Sequence, residues 1–296
     1  MFPGSEDFVL AESSRPPRAR RWLAVLATLV VVAALGGAGW IWGRDQLTAL
    51  ATPRCQATAT GESVTFSPEQ VHHAATITAI AMKRGLPARA ATIALATAIQ
   101  ESKLRNITYG DRDSLGLFQQ RPSQGWGTQD ELLDPVFATN AFYDALVKVD
   151  GYENMEITKI AQEVQKSAYP EAYADHELEG RLLASAISGH SPGGLGCRLD
   201  DPEGRTDTKA LQEALQTEVG VAGSAEGDTL VVTADSELVA WRVGAWAVAQ
   251  AKAHALTSVS VGTHTWTRTR DASGWEWSSA GDGSGDATRV VLTLTP

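Results

Sequence analysis

Residues 97–127 read TAIQESKLRNITYGDRDSLGLFQQRPSQGWG. An apolar helix carrying Ile93, Ala96, Ala98 and Ile99 stops abruptly at Gln100-Glu101-Ser102, and a polar loop from Asn106 to Ser114 follows. A carboxylate placed where an apolar face meets a loop is partly desolvated. Desolvation disfavours its charged form and raises its pKa. A carboxylic acid held protonated near neutrality can hand its proton to a glycosidic oxygen. Taken alone, Glu101 reads first as a solvated acid at a helix end, and the catalytic reading needs further motifs beside it.

Outward from this stretch, the chain between residues 67 and 190 is mainly helical by pattern. Ser67-Pro68-Glu69 supplies an N-cap, a proline at the first helical position and an acid in the first turn, and the helix ends at Gly85. A second helix runs from Pro87 to Ser102. A third starts at Asp134-Pro135. Two more cover ITKIAQEVQKSA and AYADHELEGRLLASAIS, ahead of the Gly-rich run SPGGLG.

Glu101-Ser102 at a helix end, followed by Gly116-Leu117-Phe118-Gln119, resembles the soluble lytic transglycosylase and goose-type lysozyme superfamily. More narrowly, GDRDSLGLFQQRPSQGWG is similar to the lysozyme-like domains of actinobacterial exported wall proteins. The resemblance covers roughly residues 67–190. It implies a lysozyme-like fold, peptidoglycan as substrate and partner, and Glu101 as the catalytic acid. The Gly-Leu-x-Gln element would line a sugar cleft, so Gln119 is the first candidate for substrate contact, with Gln120 beside it. By residue type Tyr109, Phe118 and Trp126 are candidates for stacking on sugar rings, each reading equally as core, and Ser102 and Ser114 are candidates for polar contacts. The superfamily's Ala-Tyr-Asn-x-Gly element is absent in that form. Gln165 or Tyr169 is the nearest residue to supply its hydrogen bond. One carboxylate suffices for a transglycosylase. An inverting hydrolase needs a second, ~6.5–9.5 Å away, for which Asp111 and Asp113 are the candidates. The alternative to an enzyme is a non-catalytic wall-binding or scaffold protein on the same fold.

Beyond the turn-rich 198–208, the pattern changes to helix, strand, helix and three further strands, which reads as a small α/β sandwich. Toward the N-terminus, residues 22–42 (WLAVLATLVVVAALGGAGWIW) carry no charge and match the ~20 residues of a spanning helix. Arg15, Arg18, Arg20 and Arg21 precede them, placing residues 1–21 in the cytoplasm and the bulk of the chain outside. A cleaved signal peptide is the rival, although Trp40-Ile41-Trp42 extends the apolar run past the small residues.

The expected fold is therefore α+β: a polar tail (1–21), a single transmembrane helix (22–43), a juxtamembrane connector (44–66), a mainly-α lysozyme-like domain (67–197), a linker (198–208) and a small α/β accessory domain (209–296) able to carry a protein partner. The two cysteines, Cys55 and Cys197, bracket the middle domain and read as a disulfide in an oxidising compartment, against two unrelated thiols. The net charge of −10 argues against a nucleic-acid partner. The scattered histidines show no zinc spacing, and neither a metal nor a cofactor is expected.

Overall fold

In a computed structural model of the chain, the described residues are 30–31, 52–165, 170–204, 207–279 and 285–295. They form an α+β structure of eight labelled helices and two antiparallel sheets. Residues Pro53–Pro296 make up one compact unit.

The helices are α1 (Pro68–Lys83), α2 (Ala88–Ser102), α3 (Gln129–Leu132), α4 (Pro135–Leu146), α5 (Ile157–Gln165), α6 (Glu177–Ile187), α7 (Thr208–Glu218) and α8 (Glu237–Gln250). Ser67 caps α1 in a reciprocal capping box with Gln70, and Asp134 caps α4 through the Val136 amide. Helix α2 is rich in alanine, and Ala90, Ala91, Ala94, Ala96 and Ala98 are all fully buried. Its small side chains allow α6 to approach closely. At Gly180 of α6 a Cβ would lie 2.8 Å from the Thr92 carbonyl, so only glycine fits. Tyr143 of α4 is buried against α1 and donates to the Ile77 carbonyl at 2.9 Å.

The first sheet has the order β2-β1-β3, from β1 (Arg54–Ala59), β2 (Glu62–Phe66) and β3 (Leu195–Arg198). Cys55 and Cys197 face each other across β1 and β3 with Cα atoms 4.0 Å apart and form the expected disulfide. The second sheet is β4-β5-β9-β6-β7-β8, from β4 (Ser224–Glu226), β5 (Thr229–Thr233), β6 (Leu256–Val261), β7 (His264–Thr267), β8 (Ser278–Ser279) and β9 (Arg289–Leu294). Val290, Leu292 and Leu294 of β9 alternate inward, as a half-buried strand requires. A bulge between Leu256 and Ser258 breaks the same alternation in β6.

Three features of the expected fold are corrected. Among the described residues, no helix is long and apolar enough to cross a membrane. At 16 residues, α1 spans about 24 Å, short of a hydrocarbon core of about 30 Å. The stretch 22–43 falls outside the described residues except for Val30 and Val31, which are helical and exposed. Residues 54–66, expected within a connector, form the β1–β2 hairpin and give the helical region a sheet of its own. The C-terminal pattern, expected to give four strands, gives a six-stranded sheet; α8 packs on it as the expected helix layer and fills the space between that sheet and α1. Packed on both sides, α8 is apolar around most of its circumference, with Val243, Trp246, Ala247 and Val248 all fully buried.

Glu218 marks the junction. Its Oε2 accepts from Thr76 of α1 (3.0 Å), Trp246 Nε1 (2.8 Å) and Gln250 Nε2 (3.3 Å), tying α1, α7 and α8 together.

Candidate active site

Glu101 lies in the last turn of α2. The helix is stopped by two consecutive left-handed residues, Lys103 (φ 57°) and Leu104 (φ 56°). Their amides close onto the carbonyls of Ile99 and Ala98, and fully buried Leu104 anchors the turn. The chain therefore leaves the helix sharply, and Glu101 remains half-buried at its rim. Burial raises its pKa above the ordinary carboxylate value, and a hydrogen bond from Tyr173 pulls weakly the other way. The negative end of the α2 dipole lies beside the same carboxylate and also favours the neutral acid.

Tyr173 Oη donates to Glu101 Oε1 at 2.5 Å. This tyrosine is 1% exposed, so its ring is fixed by packing and its hydroxyl fixes the carboxyl in turn. Among the described residues Glu101 Oε2 has no partner, and it is the oxygen left to carry a transferable proton. The neighbouring Gln100 is held by His176, whose Nε2 lies 3.1 Å from Gln100 Oε1 and whose Nδ1 lies 2.7 Å from Glu179. Both Tyr173 and His176 come from the 3-10 segment Pro170–His176, which packs on α2.

The sequence reading missed Tyr173. It assigned the bond to Gln165 or Tyr169 and set His176 aside as one of several scattered histidines. Tyr169 lies outside the described residues, as does the side chain of Gln165. Tyr173 stood within the run 172–188 expected to be one helix; the structure makes its first part the 3-10 segment Pro170–His176 and starts α6 only at Glu177.

The GLFQQ segment is a tight loop closed by a bridge between Leu115 and Gln120, with both backbone hydrogen bonds made (3.0 and 3.1 Å). Leu117 and Phe118 are fully buried, and Phe118 stacks on Phe142 at 4.6 Å. Gly116 is obligatory: its φ is +74° and a Cβ would lie 2.3 Å from the Leu132 carbonyl. Ser102 belongs to the support of this loop. Its buried hydroxyl lies 2.7 Å from the Leu117 carbonyl and 3.1 Å from that of Ala98, and it accepts from the Arg105 amide. The motif residues are thus coupled to the end of α2 through Ser102, not through a substrate contact of the serine.

Several candidates separate here. Gln120 points inward, 2% exposed, with its Nε2 3.4 Å from the Ala138 carbonyl and its Oε1 buried without a partner among the described residues. Ser114 is also buried. Gln119 is half-buried, at φ +48°, with its Nε2 on the Gly116 carbonyl at 3.2 Å. Its Oε1 lies over Gly110, where a Cβ would meet it at 1.9 Å. Gln119 and Glu101 share no hydrogen bond. Tyr109 is 73% exposed and presents its ring to solvent. Trp126 is half-buried and lines a cavity of about 560 Å³ with Lys148, Val149 and Glu163.

The two second-carboxylate candidates also differ. Asp113 accepts from Arg121 Nε (2.9 Å), the Ser123 amide (2.8 Å) and the Ser123 hydroxyl (3.0 Å), and these bonds hold its pKa well below the ordinary range. It braces the 113–123 loop and has little capacity left to orient a water. Asp111 is exposed and lies 4.0 Å from Arg112. Among the described residues no three of histidine, cysteine, aspartate and glutamate gather as a metal site.

No protein-family model matches this sequence, and no curated protein matches it.

Proposed function

We propose that the chain cleaves the glycan strands of peptidoglycan, at the bond between N-acetylmuramic acid and N-acetylglucosamine, as a lytic transglycosylase with Glu101 as its acid and base. The observation that carries the reading is the half-buried Glu101 carboxyl, raised in pKa by burial and held at one oxygen by a buried tyrosine. The resemblance of Glu101-Ser102 and GLFQ to the lytic transglycosylase superfamily points the same way, and the disulfide suits an oxidising compartment.

In this reaction the protonated Oε2 of Glu101 gives its proton to the bridging oxygen as the bond from that oxygen to the anomeric carbon breaks. The carboxylate so formed takes the proton of the same sugar's 6-hydroxyl. That oxygen then closes on the anomeric carbon and leaves a 1,6-anhydro end. Proton and bond counts balance without water or a second carboxylate. The commitment of Asp113 to Arg121 and Ser123 removes one of the two candidate bases for an inverting hydrolysis and leaves only the exposed Asp111, whereas this route needs neither.

The test is to incubate the full chain with purified peptidoglycan and identify the soluble products by mass spectrometry. Anhydro-ended muropeptides are expected, with release reduced about a thousandfold in Glu101→Gln. Products with reducing ends would replace transglycosylation by hydrolysis. Equal release by wild type and variant, or sedimentation with walls and no release by either, would overturn the enzyme reading.

A further inference from the structure

A second cavity, of about 640 Å³, opens where the SPGGLG run and β1 meet the C-terminal sheet. Its walls carry Trp241, Trp275, Trp277 and His264, with Glu237 and Glu276 exposed at its rim. The aromatic wall is built in. Trp241 packs edge-on against Trp277 at 5.1 Å and lies 5.4 Å from the His264 ring, and Trp277 Nε1 donates to the Leu195 carbonyl at 2.9 Å. The glycines of SPGGLG explain how these rings come to lie against the first sheet. At Gly196 a Cβ would sit 2.3 Å from the Trp275 carbonyl, so the backbone of the turn Ala272–Trp275 rests directly on β3. The Cys55–Cys197 disulfide staples β1 to β3 at this place.

The chemistry of the lining selects its occupant by charge. Indole faces are electron-rich and attract cations. Trp275 already holds the guanidinium of Arg198 at 5.1 Å from its ring centroid. No lysine or arginine lines the cavity, and among the described residues neither Glu237 nor Glu276 has an ion-pair partner. Two uncompensated carboxylates repel phosphates and acidic peptides and are complementary to ammonium and guanidinium groups. The volume exceeds that of one such group and suits a short run of residues.

We infer that this cavity binds a cationic peptide segment, with arginine or lysine side chains on the indole faces and their charges answered by Glu237 and Glu276. The site is independent of Glu101, and its test does not depend on glycan cleavage.

Calorimetric titration of the full chain with a tetra-arginine peptide, acetylated and amidated at its ends, tests this. Binding is expected, weakening about tenfold in the double variant Glu237→Gln/Glu276→Gln and similarly in Trp277→Leu. A charge-matched control, Glu226→Gln/Asp130→Asn, lies among exposed residues elsewhere and is expected to bind as wild type. The glutamine variants change exposed side chains and keep their shape, so the test survives if Trp277→Leu fails to fold. Absence of binding, or equal weakening in the control pair, would overturn the inference. So would binding of N-acetylchitotetraose that Trp277→Leu abolishes while the peptide binds unchanged, since the cavity would then be a sugar site.

Discussion

Glu101 and Glu218 are both shifted toward their neutral forms by burial, and they do opposite things. Glu218 is 8% exposed, and three donors from α1 and α8 converge on one of its oxygens. Glu101 sits at a helix end with one donor, Tyr173, on one oxygen and no partner among the described residues on the other. A raised pKa is therefore no mark of catalysis by itself. What separates a chemical acid from a structural one is a proton-bearing oxygen that remains reachable, on a carboxyl that is held still.

The contrast sets the expected order of effects. Glu101→Gln is expected to lower glycan cleavage about a thousandfold while leaving stability to urea unchanged; a comparable loss of stability would make Glu101 a second Glu218. Next, Glu218→Ala strands the donors of Trp246, Gln250 and Thr76 and is expected to cost about 3 kcal/mol in urea denaturation. A change within ~0.5 kcal/mol would show that the junction does not need its acid. Third, Tyr173→Phe is expected to lower activity about tenfold through a less well held carboxyl. It also removes the bond that favours the charged form of Glu101, so the alkaline limb of the pH–rate profile should move to higher pH. An unshifted or downward limb would remove Tyr173 from the account.

The smallest expected effect is in stability against pH. Glu218 has a folded pKa above its ordinary 4.5, so between the two values the folded state binds more protons than the unfolded one. Stability from this group is complete below 4.5 and declines as pH rises through the folded value. Glu218→Gln should flatten that decline. His73 acts in the opposite sense. Burial and His72 hold its pKa down to about 4, so its contribution is lost as pH falls from 6.5 toward 4. The two trends are separated by placing His73→Asn beside Glu218→Gln.

How much of this was legible in the sequence depended on how local its cause was. The N-cap at Ser67, the Asp134-Pro135 helix start and the abrupt end of α2 at Glu101 are set within one turn of the residues concerned, and each stands where the pattern put it. The disulfide was readable because the two cysteines bracket a domain. Hairpin β1–β2 was not: its inward positions are Cys55, Ala57, Ala59 and Phe66, of which only Phe66 is a large apolar residue, and its other neighbour β3 is joined to it by a disulfide across a sequence separation of 142. Tyr173 escaped because the run 172–188 was read as one helix, whereas its first part is a 3-10 segment, whose period differs and turns Tyr173 inward toward Glu101. Gln120, Ser102 and Ser114 were candidates by residue type, and type says nothing of burial: all three side chains are buried, Ser102 on the Leu117 carbonyl and Gln120 against Ala138 of α4.

The central claim is a proton on one carboxyl group. A carbon-13 titration of the glutamate side chains in the full chain, with the Glu101 signal assigned by its absence in Glu101→Gln, measures this directly. The midpoint is expected above the ordinary 4.5 and to rise further in Tyr173→Phe. A midpoint at or below 4.5 would mean that Glu101 stands ionised in water and would contradict the account.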